Sequence, residues 1–173
     1  MIKNTKTLVL SALFAALTCV CTMAVTFPTP TGGYVHAGDC FVILAGVFLG
    51  PIAGGLAGGI GSALSDLFLG YMSYVPATFL IKFLAAFTVG LLFKVTRKIF
   101  TTKKAQILQL CICGLSSSAI VILGYFLYEW LLTSNVLSAA ISGILGNSIQ
   151  GFTSILLSTL FFILLPKTDL LQN

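Results

Sequence analysis

Apolar segments long enough to cross a membrane follow one another along almost the whole chain. A bilayer core about 30 Å thick requires roughly 20 apolar residues per helix, and residues 8–26 already form such a run. Only 8% of the 173 residues are charged, whereas soluble domains carry roughly 25%. So few charges could not cover a soluble domain, and a hydrophobic content of 58% excludes intrinsic disorder. The sequence therefore predicts one transmembrane domain over residues 1–173.

Six helices account for this pattern, so the predicted fold class is an all-α integral membrane protein, a bundle of six transmembrane helices. The predicted spans are residues 8–26, 41–49, 51–70, 75–93, 107–131 and 139–165. The second span is unusually short because Gly50-Pro51 interrupts the apolar run. A proline is tolerated in the first turn of the next helix, where its missing N–H would have no partner anyway.

Basic residues indicate the orientation of the bundle. Most of them lie between the fourth and fifth spans or near the two ends of the chain: Lys94, Arg97, Lys98, Lys103 and Lys104, then Lys3, Lys6 and Lys167. With six spans and both termini in the cytoplasm, all of these cations lie on the cytoplasmic side, as the positive-inside rule requires. The basic loop is a topogenic signal in this interpretation, with anionic lipid or a cytoplasmic partner as alternatives. We expect no nucleic-acid partner.

Lys82 is the one cation inside a predicted span, about seven residues and therefore roughly 10 Å from its start. A charge near the bilayer centre costs about 2.5–3.5 kcal/mol even on a lenient scale, so Lys82 needs a partner. Asp66 lies near the outer end of the preceding antiparallel helix, and we predict a Lys82–Asp66 ion pair. The pair either only holds two helices together or faces a ligand cavity that opens outward.

A stripe of small and polar residues follows one face of the sixth span. Its members are Gly143, Asn147, Gln150, Ser154 and Ser158. Glycine and serine allow helices to approach closely. Asn147 and Gln150 carry donors and acceptors that must be satisfied away from water, so they either join helices or form hydrogen bonds to a ligand.

Two outer segments add aromatic and polar side chains. Residues 31–39 contribute Tyr34, His36 and Asp39, and residues 70–76 contribute Tyr71 and Tyr74. Both are predicted to be loops. Two such loops over one cavity suit a flat, polar small molecule.

The outer end of the fifth span carries another group of polar and aromatic residues. Tyr125 and Glu129 are one helical turn apart and could line the mouth of a pocket. Tyr128 and Trp130 are typical of side chains that anchor a helix at the membrane interface.

No enzyme motif is present in the sequence. It has no G-x-x-x-x-G-K-[ST], so the chain is not an ATPase, and it has no H-E-x-x-H or G-x-S-x-G. One histidine and five cysteines, four of them in C-x-C pairs within apolar runs, do not form a metal site. We therefore expect no catalytic residue, no cofactor and no metal ion.

Four motifs resemble the substrate-binding S components of energy-coupling factor (ECF) vitamin transporters, and the resemblance extends over essentially the whole chain. They are the A-x-x-x-A of Ala12 and Ala16, the run GYVHAGDCFVILAGVFLGPIAGGLAGGIGSALSD, the Y-x-P-A-T-x-x-I-K that ends at Lys82, and the G-N-x-x-Q from Gly146 to Gln150. The long run is the most specific of the four.

The resemblance implies a subunit of the bacterial cell membrane that binds a water-soluble vitamin from outside with high affinity. It would dock through Ala12 and Ala16 on a shared transmembrane coupling subunit, and two cytoplasmic ATPases would supply the energy. Similar members are assigned to pyridoxine or hydroxymethylpyrimidine, which we favour, and to pantothenate. The predicted substrate-binding residues are Tyr34, His36, Asp39, Asp66, Tyr71, Tyr74, Lys82, Tyr125, Glu129, Asn147 and Gln150.

The choice of substrate depends on Lys82. A pyridine or pyrimidine ring would stack on the outer tyrosines, with Asp39 and the amides of the sixth span binding its hydroxyls and nitrogens. The carboxylate of pantothenate would need Lys82, so an ion pair with Asp66 would favour the aromatic ring. Two other classes remain open: an ion-coupled carrier with Lys82, Asp66 and Glu129 as its relay, and a membrane scaffold that transports nothing.

Overall fold

Helices dominate the structure, a computed structural model that describes residues 5–28, 34–139 and 144–164. Five of the described helices are long and apolar enough to cross a membrane: Thr5–Ala24, Asp39–Leu69, Val75–Thr96, Lys103–Thr133 and Ile144–Leu164. The prediction of a multi-pass helical membrane protein is therefore confirmed at this level. Lys3, Gly143 and Lys167 lie outside the described residues.

The elements in chain order are α1 (Thr5–Ala24), β1 (Thr26–Pro28), β2 (Tyr34–His36), α2 (Asp39–Leu69), α3 (Val75–Thr96), α4 (Lys103–Thr133), α5 (Val136–Ala139) and α6 (Asn147–Leu164). A π-helical turn at residues 144–146 extends α6 at its start. α4 begins before its predicted span because Thr102 caps it, with the Ala105 N–H donating to Thr102 Oγ1 at 3.2 Å. Such caps lie outside the apolar pattern from which the spans were predicted.

α2 is broken at Gly50, which has φ 78° and ψ −175°. A Cβ at Gly54 would lie 2.6 Å from the Ala45 carbonyl oxygen, and one at Gly58 would lie 3.2 Å from Val42 Cγ1. The contacted residue on the first arm therefore moves back from Ala45 to Val42 as the second arm advances from Gly54 to Gly58. The two arms, residues 39–49 and 51–69, thus run antiparallel as a helical hairpin. The predicted break at Gly50-Pro51, with a short arm before it, is confirmed.

The short first arm of α2 lies in the centre of the bundle, and most of its residues are buried. Two clusters of buried apolar side chains surround it. One contains Ile43, Leu44, Val47, Val89, Phe93, Leu110, Cys113 and Phe162; the other contains Val42, Ile81, Ala85, Ala86 and Val121. This packing carries Asp39, the first residue of α2, into the interior of the protein.

A two-stranded antiparallel sheet lies over one end of the bundle, with Thr26 paired to His36 and Pro28 to Tyr34. The sequence predicted a loop for residues 31–39, and for the part that forms β2 this was wrong. Each strand has only three residues, which is too short for an alternating pattern to be recognised. The sheet holds Tyr34 and His36 above the helices.

Candidate substrate-binding site

A cavity opens at the end of the bundle where α2 ends and α3 begins. It encloses about 510 Å³ of space between atoms, a figure that includes its open mouth. β2, the last turns of α2 and α4, and the first turns of α3 and α6 form its walls. Nine of the eleven predicted substrate-binding residues line it: Tyr34, His36, Asp66, Tyr71, Tyr74, Tyr125, Glu129, Asn147 and Gln150. Their role in binding stays a prediction.

Tyrosines dominate the mouth of the cavity. The ring centroids of Tyr34 and Tyr71 lie 4.8 Å apart, those of Tyr71 and Tyr74 lie 6.3 Å apart, and Tyr74 contacts Tyr128 at 5.3 Å. Burial, followed by nearby carboxylates, raises the pKa of Tyr74 to about 12 and that of Tyr34 well above its usual range. Both hydroxyls are therefore protonated at neutral pH. A flat ring could stack against this aromatic surface.

Asp66 presents an unsatisfied acceptor to the cavity. The Tyr34 hydroxyl donates a hydrogen bond to Asp66 Oδ1, but Asp66 Oδ2 is buried and has no hydrogen-bond partner among the described residues. Ser62 Oγ, one turn earlier on α2, is in the same situation. An unpaired buried acceptor costs about 1–3 kcal/mol. A ligand with hydroxyl or N–H donors would satisfy both atoms.

Lys82 lies beneath the cavity and does not line it. Its Nζ is 2.7 Å from both carboxylate oxygens of Asp39, and the side chain has 0% exposure. The Gln150 amide donates to Asp39 Oδ2 at 2.8 Å. The predicted Lys82–Asp66 ion pair is therefore wrong. The reason is the α2 hairpin, whose first arm brings Asp39 beside Lys82 on α3. The prediction treated residue 39 as part of an outer loop and so did not place it inside the bundle.

His36 connects this buried ion pair to the small sheet. Its backbone N–H donates to Gln150 Oε1 at 3.0 Å. Its Nδ1 accepts from the Gly38 N–H at 3.1 Å, so the proton of the neutral ring is on Nε2, which lies 4.0 Å from Asp39 Oδ1. Burial lowers the pKa of His36 to about 4. The histidine is therefore neutral at physiological pH.

The cavity has an acidic character. Asp66 and Glu129 line it, and the one basic side chain among the described residues of its lining is the neutral His36. Lys82 forms an ion pair with Asp39. The Lys82 Nζ also lies 5.2 Å from the ring centroid of Tyr125, which lines the cavity. A neutral or cationic ligand is compatible with this lining, whereas a carboxylate would have no cation to pair with.

Five residues that line the cavity were not among the predicted substrate-binding residues: Val35, Ser62, Ser65, Thr78 and Gly146. Ser62 and Ser65 lie in the glycine-rich second arm of α2, where Asp66 is the one predicted substrate-binding residue. Ser62 precedes Ser65 by three residues and Asp66 by four, which places all three on one side of the helix, and this signal could have found them. Thr78 Oγ1 is 2.8 Å from the Tyr125 hydroxyl, a contact between two helices that no local pattern indicates.

The fold and the cavity together define a multi-pass helical membrane protein with a candidate small-molecule site between its helices. A sequence profile of the family described as "ECF-type riboflavin transporter, S component" matches residues 2–167. The chain belongs to this family, which confirms the predicted ECF S component. The members of this family are specificity subunits of transporters, in agreement with the prediction that the chain is not an enzyme.

The chain is also similar to a protein of Pyrococcus woesei described as "Uncharacterized protein in gap 3'region". The two are 38% identical over 107 residues, which is 61% of this chain. The match covers 66% of the relative, just under two thirds of its length.

Proposed function

We propose that the chain is the substrate-binding subunit of an ECF transporter in the cell membrane and that its substrate is riboflavin. Riboflavin has a flat three-ring system and a chain of hydroxyl groups. The rings would stack on Tyr34, Tyr71 and Tyr74, and the hydroxyls would donate to Asp66 Oδ2 and Ser62 Oγ. The observation that carries the proposal is that one cavity combines an aromatic mouth with these two buried, unsatisfied acceptors. The family description also supports it.

Pyridoxine and hydroxymethylpyrimidine are the second candidates, because each also combines a flat ring with hydroxyl donors. Neither is named by the family description. Pantothenate ranks lower because Lys82, which would have bound its carboxylate, is paired with Asp39.

The proposed topology has six membrane passes, with the two arms of α2 as the second and third. Both termini would then be cytoplasmic. The cavity lies at the start of α3 and Lys94 near its end, so the positive-inside rule directs the cavity outward. This orientation suits capture of a vitamin from outside.

Transport would require partners: a transmembrane coupling subunit and two cytoplasmic ATPases, as in other ECF systems. Ala12 and Ala16 are both exposed on α1. Small side chains on an exposed membrane helix allow another helix to approach closely, which supports this face as the docking site for the coupling subunit.

A fluorescence titration of the purified, ligand-free chain with riboflavin tests the proposal, since stacking on tyrosine quenches flavin emission. The wild-type protein should bind with a nanomolar Kd. Asp66→Asn should raise the Kd about 10- to 100-fold by weakening a charged acceptor. Asp169→Asn is the matched control, because it makes the same chemical change at the cytoplasmic end in the proposed topology.

Three outcomes would contradict parts of this account. Absence of riboflavin binding would exclude the substrate. Equal affinities for wild type and Asp66→Asn would exclude the role of Asp66. Uptake by the chain alone, driven by an ion gradient, would favour the stand-alone carrier.

A further inference from the structure

A second cavity lies at the other end of the bundle, between the start of α1, the tip of the α2 hairpin and the end of α3. It encloses about 880 Å³ of space, including the part open to solvent. Among the residues that the structure describes, Lys6, Lys94 and Arg97 line it and no carboxylate does. The three described acids, Asp39, Asp66 and Glu129, lie at or beneath the first cavity. The second cavity is therefore a concave surface with net positive charge.

Helix-end effects explain only part of this convergence of cations. Lys94 and Arg97 lie at the C-terminal end of α3, where the helix dipole favours a cation. Lys6 is in the first turn of α1, where the dipole disfavours one. The second arm of α2 begins here, at Pro51, and the first arm ends here, at Leu49, so their helix dipoles oppose each other and the positive charge of the cavity comes from the three side chains. The joint effect is attraction of an anion.

The walls of this second cavity are apolar. Leu10, Val47, Phe48 and Phe93 line it alongside the cations. Beside it, Val9 on α1 is 61% exposed and Val95 on α3 is 68% exposed. A small soluble anion would make no use of such walls, whereas an amphiphile would place its charged group among the cations and its chains along the exposed aliphatic side chains.

We propose that this cavity binds the headgroup of an anionic phospholipid from the cytoplasmic leaflet. The phosphate lies among Lys6, Lys94 and Arg97, and the acyl chains follow the aliphatic surfaces of α1 and α3. The cytoplasmic location rests on the proposed topology, but lipid binding at this end of the bundle is independent of which vitamin the first cavity holds.

Native mass spectrometry of the delipidated full chain in detergent, titrated with phosphatidylglycerol or phosphatidylcholine, tests the proposal. We expect the wild-type protein to retain phosphatidylglycerol in preference to phosphatidylcholine. The double variant Lys94→Gln/Arg97→Gln should lower phosphatidylglycerol retention about tenfold or more. Lys98→Gln/Lys104→Gln is the matched control, since it removes the same charge from exposed residues that do not line the cavity, and it should retain the lipid.

Equal losses in the two double variants would overturn the proposal, because they would indicate a general attraction of lipid to the basic loop. Equal retention of both lipids by the wild type would do the same. Competition by micromolar inorganic phosphate would reassign the site to a soluble anion and so overturn the lipid assignment. Thermal unfolding in detergent monitors folding, and if the double variant does not fold, Lys6→Gln tests the same cavity from α1 and should also lower phosphatidylglycerol retention.

Discussion

Lys82 shows how this protein keeps a charge deep among membrane helices. Both oxygens of Asp39 lie 2.7 Å from its Nζ, so replacing Lys82 with methionine leaves an unpaired buried carboxylate. We expect Lys82→Met to lower the free energy of unfolding by about 3–5 kcal/mol, measured by denaturant unfolding in detergent.

The double variant Lys82→Met/Asp39→Asn is the control for this prediction. Removing both charges should recover most of the lost stability, because the penalty comes from leaving one charge alone. If the loss of stability in the double variant equals the sum of the losses in Lys82→Met and in Asp39→Asn, the pair is not coupled.

His36 gives a pH dependence whose sign follows from its burial. The pKa of the histidine is about 4 in the folded protein, against 6.5 for an unperturbed side chain. Between these values the unfolded state binds the proton and the folded state does not, so the stability falls as the pH is lowered from 6.5 to 4.

The measurement is the midpoint of thermal unfolding across this pH window, compared between wild type and His36→Asn. Asparagine keeps an acceptor for the Gly38 N–H and does not titrate. The fall in midpoint should therefore be smaller in the variant. Parallel curves would show that other groups cause the pH dependence.

At the residue scale, the sequence identified the types of side chain at the site better than their partners. Tyrosines, carboxylates and amides stand out against an apolar background, and most of those predicted do line the cavity. The partner of Lys82 was predicted wrongly because both Asp39 and Asp66 are compatible with the sequence. The packing of the two arms of α2 against α3 determines that Asp39, and not Asp66, lies beside Lys82.

At the element scale, the α2 hairpin depends on glycines that let its arms touch. A Cβ at Gly54 would lie 2.6 Å from a backbone oxygen, whereas one at Gly58 would lie 3.2 Å from a side-chain atom. We expect Gly54→Ala to destabilise the protein clearly more than Gly58→Ala, in spite of the same gain of about 1 kcal/mol in helix propensity.

Unfolding of the two alanine variants, compared in the same detergent, checks this prediction. Gly58→Ala is the matched control because it adds one methyl group to the same arm. Equal stabilities would contradict the antiparallel packing of the two arms.

The hairpin and the small sheet differ in how far the sequence predicts them. Gly50-Pro51 interrupts an apolar run, and this local signal located the break. β1 and β2 carry no such signal, because a three-residue strand is defined by its partner and not by its own pattern. The number of passes also cannot be read from helix counts alone, since α2 contains two arms, one on each side of the break at Gly50.

At the scale of the whole molecule, charge is distributed between two ends. The described carboxylates lie at or beneath the tyrosine-lined cavity, and the second cavity at the opposite end is lined by cations. The sequence predicted this polarity through the positive-inside rule. It did not predict the second cavity, because the residues that line it come from three separate helices.

Docking on a coupling subunit should be separable from substrate binding. Ala12→Trp and Ala16→Trp add bulk to the exposed face of α1, away from the cavity. We expect each variant to bind riboflavin as the wild type does, while uptake into proteoliposomes that contain the complete transporter falls at least about tenfold. Leu13→Trp, on a neighbouring exposed position of α1, is the control. Unchanged uptake in both alanine variants would show that the interface lies elsewhere.

Capture of a vitamin by the chain alone is the central claim, and calorimetric titration of the stripped, purified protein tests it most directly. The panel is riboflavin, pyridoxine, hydroxymethylpyrimidine and pantothenate. We predict one-to-one, nanomolar binding of riboflavin and much weaker binding of pantothenate, whose carboxylate meets Asp66 and Glu129 without a free cation. Absence of binding across the panel, or tightest binding of pantothenate, would contradict this account of the site.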